Sequence, residues 1–127
     1  MIYGTGTDIV AVARIGKLYE RHGERALDKL LALAERGDFA KTRHPARFLA
    51  KRFAAKEAFG KALGIGVTAP ATLTNIAVTH DALGKPAFAY APALAEYLAE
   101  RRLSAHLSIS DEHEFALAFV VMEQTDS

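Results

Sequence analysis

The longest regular pattern in the chain is residues 45–63, PARFLAKRFAAKEAFGKAL, followed by Gly64-Ile65-Gly66. Pro45 suits the first turn of a helix, because its missing N–H would have no partner there, and Gly64 suits the end of one. The pattern therefore predicts a helix over residues 45–63. The segments on either side of it then decide the fold class.

Strand patterns lie on both sides of this helix. Residues 2–12 are rich in β-branched side chains and predict a first strand, whereas 14–41 is helical with breaks expected at Gly23 and Gly37. Later segments predict strands at 74–80, 87–90, 105–110 and 115–122, with polar turns at 81–86 and 111–114 and a short helix from Pro92 to about Arg102. This order predicts an α+β fold in which a mainly antiparallel sheet packs on helices.

Composition narrows the classes of protein. The chain has 127 residues, half of them apolar, and no linker or internal repeat divides it, so we expect a single domain over residues 1–127. A formal charge of +1 is too balanced for a protein that coats nucleic acid. The absence of cysteine excludes disulfides and thiol nucleophiles. Without a signal-peptide or membrane-spanning pattern, we expect a cytoplasmic protein that contacts neither nucleic acid nor membrane.

The first strand carries one unusual carboxylate. Strand periodicity places Gly4, Gly6 and Asp8 on the same face as Val10, so Asp8 interrupts an apolar row after two residues without side chains. Glycines at such positions let another group approach the backbone closely. From spacing alone, a functional carboxylate and a turn-capping Asp8 are equally supported. A dinucleotide loop is disfavoured, because the third glycine of that motif is missing.

The long helix carries a second unusual carboxylate, Glu57. Glu57 shares a face with Ala50, Phe53 and Ala54, and Lys61 follows one turn later. In isolation, an ordinary Glu57–Lys61 pair is the simpler explanation, worth about 0.3–0.5 kcal/mol when exposed. Six basic residues lie on or just before this helix, and some of them are expected to be solubilising charges, namely Arg43, Arg47, Lys51, Arg52, Lys56 and Lys61. His106 stands out from the other histidines because it lies inside a predicted strand.

Together these residues resemble a known family. Gly6-Thr7-Asp8, with Glu57 in the stretch 53–61, FAAKEAFGK, is similar to the paired signature of 4′-phosphopantetheinyl transferases. Residues 4–10 (GTGTDIV), 13–15 (ARI), 47–53 (RFLAKRF), 83–86 (LGKP) and 106–110 (HLSIS) resemble the short, single-domain bacterial holo-[acyl-carrier-protein] synthases. The resemblance runs nearly end to end, and the order of the motifs makes it specific.

The resemblance implies an enzyme and a reaction. The family transfers the 4′-phosphopantetheine group of coenzyme A to a serine of apo acyl carrier protein, releasing adenosine 3′,5′-bisphosphate, for fatty acid biosynthesis. Asp8 and Glu57 match the Mg²⁺ ligands of the family, and Mg²⁺ favours carboxylate, phosphate and water oxygens. The glycine and alanine neighbours of both carboxylates are expected to leave room for the ligand. Lys61 matches a basic residue that contacts phosphate, and Glu57, or alternatively Asp8, is the expected general base.

Further positions follow from the same resemblance. Arg52, Gly64, Pro86 and His106 match the coenzyme A pocket of the family, together with Lys61. The acidic carrier is expected to dock on the first helix, where Arg14, Lys17 and Arg21 share a face with Leu18, and Arg25 follows. The family is described as a homotrimer with active sites between neighbouring subunits. Position 111 is Asp111 where many relatives have histidine, so Asp111 is given no catalytic role.

Two other functions stay open at this point. A divalent-metal phosphohydrolase acting on a nucleotide would use the same two carboxylates with water as nucleophile. A non-catalytic phosphate-binding module would keep the basic residues but would have no use for Asp8 and Glu57.

Overall fold

The computed structural model of the chain describes residues 1–126. Its elements are β1 (Ile2–Ala11), α1 (Val12–His22), α2 (Glu24–Leu30), α3 (Arg36–Lys41), α4 (Pro45–Leu63), β2 (Ile76–His80), β3 (Pro86–Tyr90), α5 (Pro92–Glu100), β4 (Leu103–Asp111) and β5 (Phe115–Gln124). Single 3₁₀ turns occur at Leu33–Glu35 and Leu73–Asn75.

The strands form two antiparallel sheets. The larger has the order β1-β5-β4, so β5 is its central strand, and Ala118 of β5 is paired with Asp8 on one side and Ile109 on the other. The smaller sheet is the β2–β3 hairpin. This arrangement confirms the predicted α+β class with antiparallel pairing.

Helix α4 lies against the inner face of the larger sheet and contributes most of its length to the core. Leu49, Phe59 and Leu63 are fully or almost fully buried, and they pack with Val10 of β1 and Val120 of β5. The helix begins with Pro45 in its first turn and ends at Gly64, which adopts a left-handed φ of 91° that favours glycine. The bounds predicted from the sequence are those observed.

The contact between α4 and β1 depends on two glycines. A Cβ atom built on Gly6 would collide with the carbonyl oxygen of Ala58, and one built on Gly4 would collide with that of Ala62. The helix backbone therefore lies directly on the strand. The predicted close approach is confirmed, but the approaching group is α4, so the expectation that these glycines leave room for a ligand is wrong.

The helical region before α4 differs in one respect from the prediction. The break at Gly23 is observed, between α1 and α2, but Gly37 lies inside α3. The chain is instead extended at Leu31 and Ala32. The Glu35 carboxylate accepts a hydrogen bond from the Ala32 N–H at 2.9 Å, so a side chain rather than a glycine fixes this break.

Candidate active site

The structure brings Asp8, Glu57 and Lys61 together where β1 meets α4. Asp8 faces inward from β1, and Glu57 and Lys61 lie one turn apart on the helix that covers it. The Lys61 ammonium lies 3.2 Å from Asp8 Oδ1 and donates a hydrogen bond to the Thr7 carbonyl at 2.8 Å. We call Asp8, Glu57 and Lys61 the open cluster, because it borders solvent: 19% of the Asp8 side chain and 52% of the Lys61 side chain are exposed.

The charges of the open cluster are not balanced. Partial burial raises the pKa of Glu57, and the negative charge of Asp8 raises it further, whereas Lys61 and Arg14 act in the opposite direction. The two carboxylates are thus close enough to repel each other. A cation placed between them would relieve this repulsion.

The donor set fits Mg²⁺. Residues 1–126 contain no group of three or more His, Cys, Asp or Glu side chains arranged to hold a metal. Mg²⁺ does not need such a group, since one or two carboxylates hold it while water and substrate phosphate supply the other oxygens. Asp8 and Glu57 could provide those two carboxylates, and Lys61 could contact an anion beside them.

A basic surface on α1 adjoins the open cluster. Arg14 affects the pKa of Glu57, and its guanidinium carbon lies 5.8 Å from the centre of the Phe53 ring. Its neighbours Lys17, Leu18 and Arg21 border the same surface depression. Leu18 also lines the next depression, which contains Arg25. The residues predicted to dock the carrier therefore form one continuous surface.

The other predicted coenzyme A residues lie elsewhere on the chain. His106 is on the outer face of the larger sheet, with Nε2 at 2.9 Å from Glu123 Oε1, whereas Asp8 is on the inner face. Pro86 begins β3 in the smaller sheet. Gly64 ends α4 less than one turn beyond Lys61. Within a single chain, Gly64 thus lies on the same helix as part of the open cluster, whereas His106 and Pro86 lie on other elements.

Arg52 belongs to a second ionic cluster, which the sequence analysis missed. Glu35 is 2% exposed and Lys56 is fully buried, and the Lys56 ammonium donates to the Glu35 carboxylate and to the carbonyls of Leu30 and Leu73 at 2.7 and 2.9 Å. Arg52 Nε lies 3.1 Å from the same carboxylate. We call Glu35, Arg52 and Lys56 the closed cluster. Because of this burial, Arg52 and Lys56 are not among the basic residues of this region that act as solubilising charge.

The closed cluster is held by hydrogen bonds from several elements. Glu35 also accepts the backbone N–H groups of Ala32 and Val78, so its carboxylate has four donors close to it. Burial lowers the pKa of Lys56, and the nearby carboxylate opposes that shift. A signal for this cluster was present in the sequence: a buried helical stripe at spacings of three and four residues contains two cations, in the order Leu49, Arg52, Lys56, Phe59 and Leu63.

Asp111 stabilises α4 at its other end. Its carboxylate lies 3.7 Å from Arg47 Nε and 3.8 Å from Lys51 Nζ, in the first two turns of the helix. Separately, none of the helices described is long and apolar enough to cross a membrane.

Comparison with known proteins identifies the family. The model of the 4′-phosphopantetheinyl transferase superfamily matches residues 4–122. The holo-[acyl-carrier-protein] synthase of Dechloromonas aromatica (strain RCB) is 63% identical over 123 residues, which cover 97% of this chain and 98% of that protein. Among solved structures, the holo-[acyl-carrier-protein] synthase from Neisseria meningitidis has a TM-score of 0.94 at 47% identity, covering 98% of this chain and all of that one.

A second solved structure includes a ligand. The holo-(acyl-carrier-protein) synthase from Bacillus anthracis, in complex with CoA (3′,5′-ADP), has a TM-score of 0.82 at 35% identity and covers 98% of this chain and 99% of that one. Both the sequence and the fold thus match over almost the full length. The chain belongs to the 4′-phosphopantetheinyl transferase superfamily, in its holo-[acyl-carrier-protein] synthase branch.

Proposed function

We propose that the protein transfers the 4′-phosphopantetheine group of coenzyme A to a serine of apo acyl carrier protein, giving the holo carrier and adenosine 3′,5′-bisphosphate for fatty acid biosynthesis. The observation that carries this proposal is the pair of carboxylates Asp8 and Glu57, brought together beside Lys61 in a chain 63% identical to a named synthase. The coenzyme A complex of the Bacillus anthracis relative supports the same donor.

The chemistry requires charge neutralisation and a base. The serine oxygen forms a bond to the phosphorus that carries the pantetheine arm, and the bond from that phosphorus to the bridging oxygen of adenosine 3′,5′-bisphosphate breaks. Mg²⁺ held by Asp8 and Glu57 would neutralise negative charge on the phosphate oxygens. Lys61 contacts a phosphate oxygen as a point charge. Glu57 accepts the serine proton, with Asp8 as the alternative base.

Mass spectrometry of the carrier tests the proposal and its alternatives. The protein is incubated with coenzyme A, Mg²⁺ and an apo acyl carrier protein. We expect the carrier to gain one phosphopantetheine group. Cleavage of coenzyme A in the absence of a carrier would instead show a phosphohydrolase. If coenzyme A and the carrier both stay intact, the remaining explanation is a non-catalytic phosphate-binding module.

The carrier is proposed to dock on the basic surface of α1. Acyl carrier proteins are acidic, and opposite charges increase the rate of encounter. Changing Arg14→Glu should raise KM for the carrier while leaving coenzyme A binding nearly unchanged, and added salt should weaken carrier binding less steeply in this variant than in the wild type. Arg101→Glu, at the end of α5, is the matched control. A loss confined to coenzyme A binding would place the carrier elsewhere.

The active protein is proposed to be a homotrimer, as the resemblance implies. The outer face of the larger sheet supports association, because it exposes a row of large apolar side chains at 39–61% of their surface, namely Tyr3, Ile9, Phe115, Leu117 and Phe119. His106 also lies on this outer face, away from the Asp8 of its own chain. A neighbouring copy in the trimer could therefore supply its His106 to the site at Asp8. Sedimentation should give a trimer that Leu117→Asp dissociates. A monomeric wild type would contradict this.

We also propose one domain over residues 1–127 and a cytoplasmic location, where bacterial coenzyme A and carrier proteins are found. A single cooperative unfolding transition and cell fractionation test these two points.

A further inference from the structure

The position of Lys61 has a consequence for metal binding. Its ammonium group is held by two acceptors, the Thr7 carbonyl and Asp8 Oδ1, so it already acts as a cation on one of the two carboxylates. Asp8 is therefore partly neutralised before any metal arrives. Glu57, by contrast, has no salt-bridge partner within residues 1–126.

The Lys61 head group can move although its backbone cannot. Helix α4 is fixed against β1, since a Cβ atom on Gly6 would lie only 2.9 Å from the Cβ of Lys61. The side chain beyond that atom is flexible and about half exposed, so its ammonium can change partners at small cost.

A divalent cation and the ammonium cannot share this place without repulsion. A metal bound to Asp8 and Glu57 would meet the positive charge of Lys61 at the same carboxylate. Lys61 would then lose its contact with Asp8, and a phosphate group beside the metal would offer a replacement acceptor.

We propose that Lys61 competes with Mg²⁺ for Asp8 in the free protein and moves to a phosphate of coenzyme A when both ligands are bound. This inference rests on the proposed function. Its consequence is positive coupling: Mg²⁺ alone binds weakly, coenzyme A tightens it, and Mg²⁺ tightens coenzyme A by the same factor. The residue thus makes metal binding depend on the presence of the substrate.

Titration calorimetry of two lysine variants tests the competition. Mg²⁺ is titrated into wild type, Lys61→Met and Lys51→Met, each with and without coenzyme A. Lys51 lies on the same helix and faces another aspartate, Asp111, at 3.8 Å, so Lys51→Met removes the same charge from a comparable pair outside the site. We expect Lys61→Met to tighten Mg²⁺ binding without coenzyme A by about threefold or more and to reduce the coupling factor, with little change in Lys51→Met.

Three outcomes would overturn the inference. They are unchanged or weaker Mg²⁺ binding in Lys61→Met, equal tightening in both variants, and no detectable Mg²⁺ binding in wild type and Lys61→Met without coenzyme A. The carrier-transfer assay is run on the same wild-type sample. If the wild type modifies the carrier but Lys61→Met binds Mg²⁺ with unchanged affinity, the competition is rejected and the proposed function is kept. If the wild type does not modify the carrier but Lys61→Met binds Mg²⁺ more tightly, the proposed function is rejected and the competition is kept.

Discussion

Helix α4 contributes the neighbouring residues Lys56 and Glu57 to two ionic clusters of opposite character. Lys56 points into the closed cluster, where it is fully buried and donates to Glu35 and two backbone carbonyls. Glu57 and Lys61 point toward the open cluster, where Lys61 is half exposed and Glu57 is destabilised as an anion by burial and by Asp8. Charge alone therefore does not distinguish a structural residue from a functional one.

Burial and the number of partners do distinguish the two lysines, because Lys56 is buried with three acceptors whereas Lys61 is half exposed with two. A buried charge with all its partners in place gains nothing from a ligand and loses much when one partner is removed. In the described part of the chain, Asp8 is paired with Lys61 but Glu57 has no salt bridge, so this pair of carboxylates is stabilised by a further cation. The closed cluster accordingly holds α4 against the segments at 30–35 and 73–78, and we propose the open cluster as the one that binds ligands.

The largest effect is expected from removing the central anion of the closed cluster. Glu35→Gln leaves Lys56 buried without a counter-charge and Arg52 with only Asp38, at 4.0 Å, so the free energy of unfolding should fall by about 3–5 kcal/mol. Urea denaturation measures this. Glu100→Gln, on an exposed pair with Arg101, is the control and should change stability by less than about 0.5 kcal/mol. Similar values for both variants would show that the closed cluster contributes no stability.

The next effect concerns activity. Asp8→Asn and Glu57→Gln each remove one anionic ligand from a cation held by few protein oxygens, so kcat/KM for carrier modification should fall on the order of 100-fold or more while the fold is kept. Steady-state kinetics at several Mg²⁺ concentrations, with melting curves as the control for folding, check this. Wild-type turnover at saturating Mg²⁺ would contradict the metal assignment.

A third substitution tests the contact on which the open cluster depends. Gly6→Ala places a methyl group against the Ala58 carbonyl and must push α4 away from β1, so we expect a loss of about 1–3 kcal/mol. Activity should fall more than stability explains, because Glu57 and Lys61 move away from Asp8. Gly37→Ala, where the added Cβ meets nothing within 4 Å, is the control. Normal activity in Gly6→Ala would show that this close contact is dispensable.

The smallest effect is a pH dependence of stability. Because the pKa of Glu57 is raised in the folded state, the unfolded chain loses this proton first as pH rises, and the fold loses stability between the ordinary glutamate pKa and the raised value. Glu57→Gln lacks this loss, so its melting temperature relative to wild type should increase from pH 4 to pH 7 in the presence of EDTA. A constant difference would show that Glu57 is not perturbed.

The sequence predicted some parts of this molecule because local chemistry determines them. Pro45 and Gly64 mark the ends of α4 with residues whose backbone preferences suit those positions, and the break at Gly23 follows from a positive φ of 55°. The carboxylates Asp8 and Glu57 were found from their places on strand and helix faces and from a family resemblance. Their proximity depends on tertiary packing, which the glycines of β1 permit.

The sequence did not predict the closed cluster, because its parts are far apart in the chain. Glu35 lies 21 residues before Lys56 and in a segment with no strong periodicity of its own. The break at Leu31–Ala32 was missed for a different reason: no glycine or proline marks it, and a hydrogen bond to the Glu35 side chain, three residues along the chain, fixes it. Arg52 and Lys56 did give a local signal, as cations within a buried helical stripe.

The most direct test compares the same substitution at two positions of α4, Lys56→Met and Lys61→Met, by urea unfolding and transfer kinetics on the same samples. We expect Lys56→Met to lower the free energy of unfolding by several kcal/mol, about 3 or more, and Lys61→Met to change it by less than about 1 kcal/mol while reducing kcat/KM at least tenfold. Equal losses of stability in both variants, or a larger loss of stability in Lys61→Met, would contradict the division of α4 into a structural and a functional cluster.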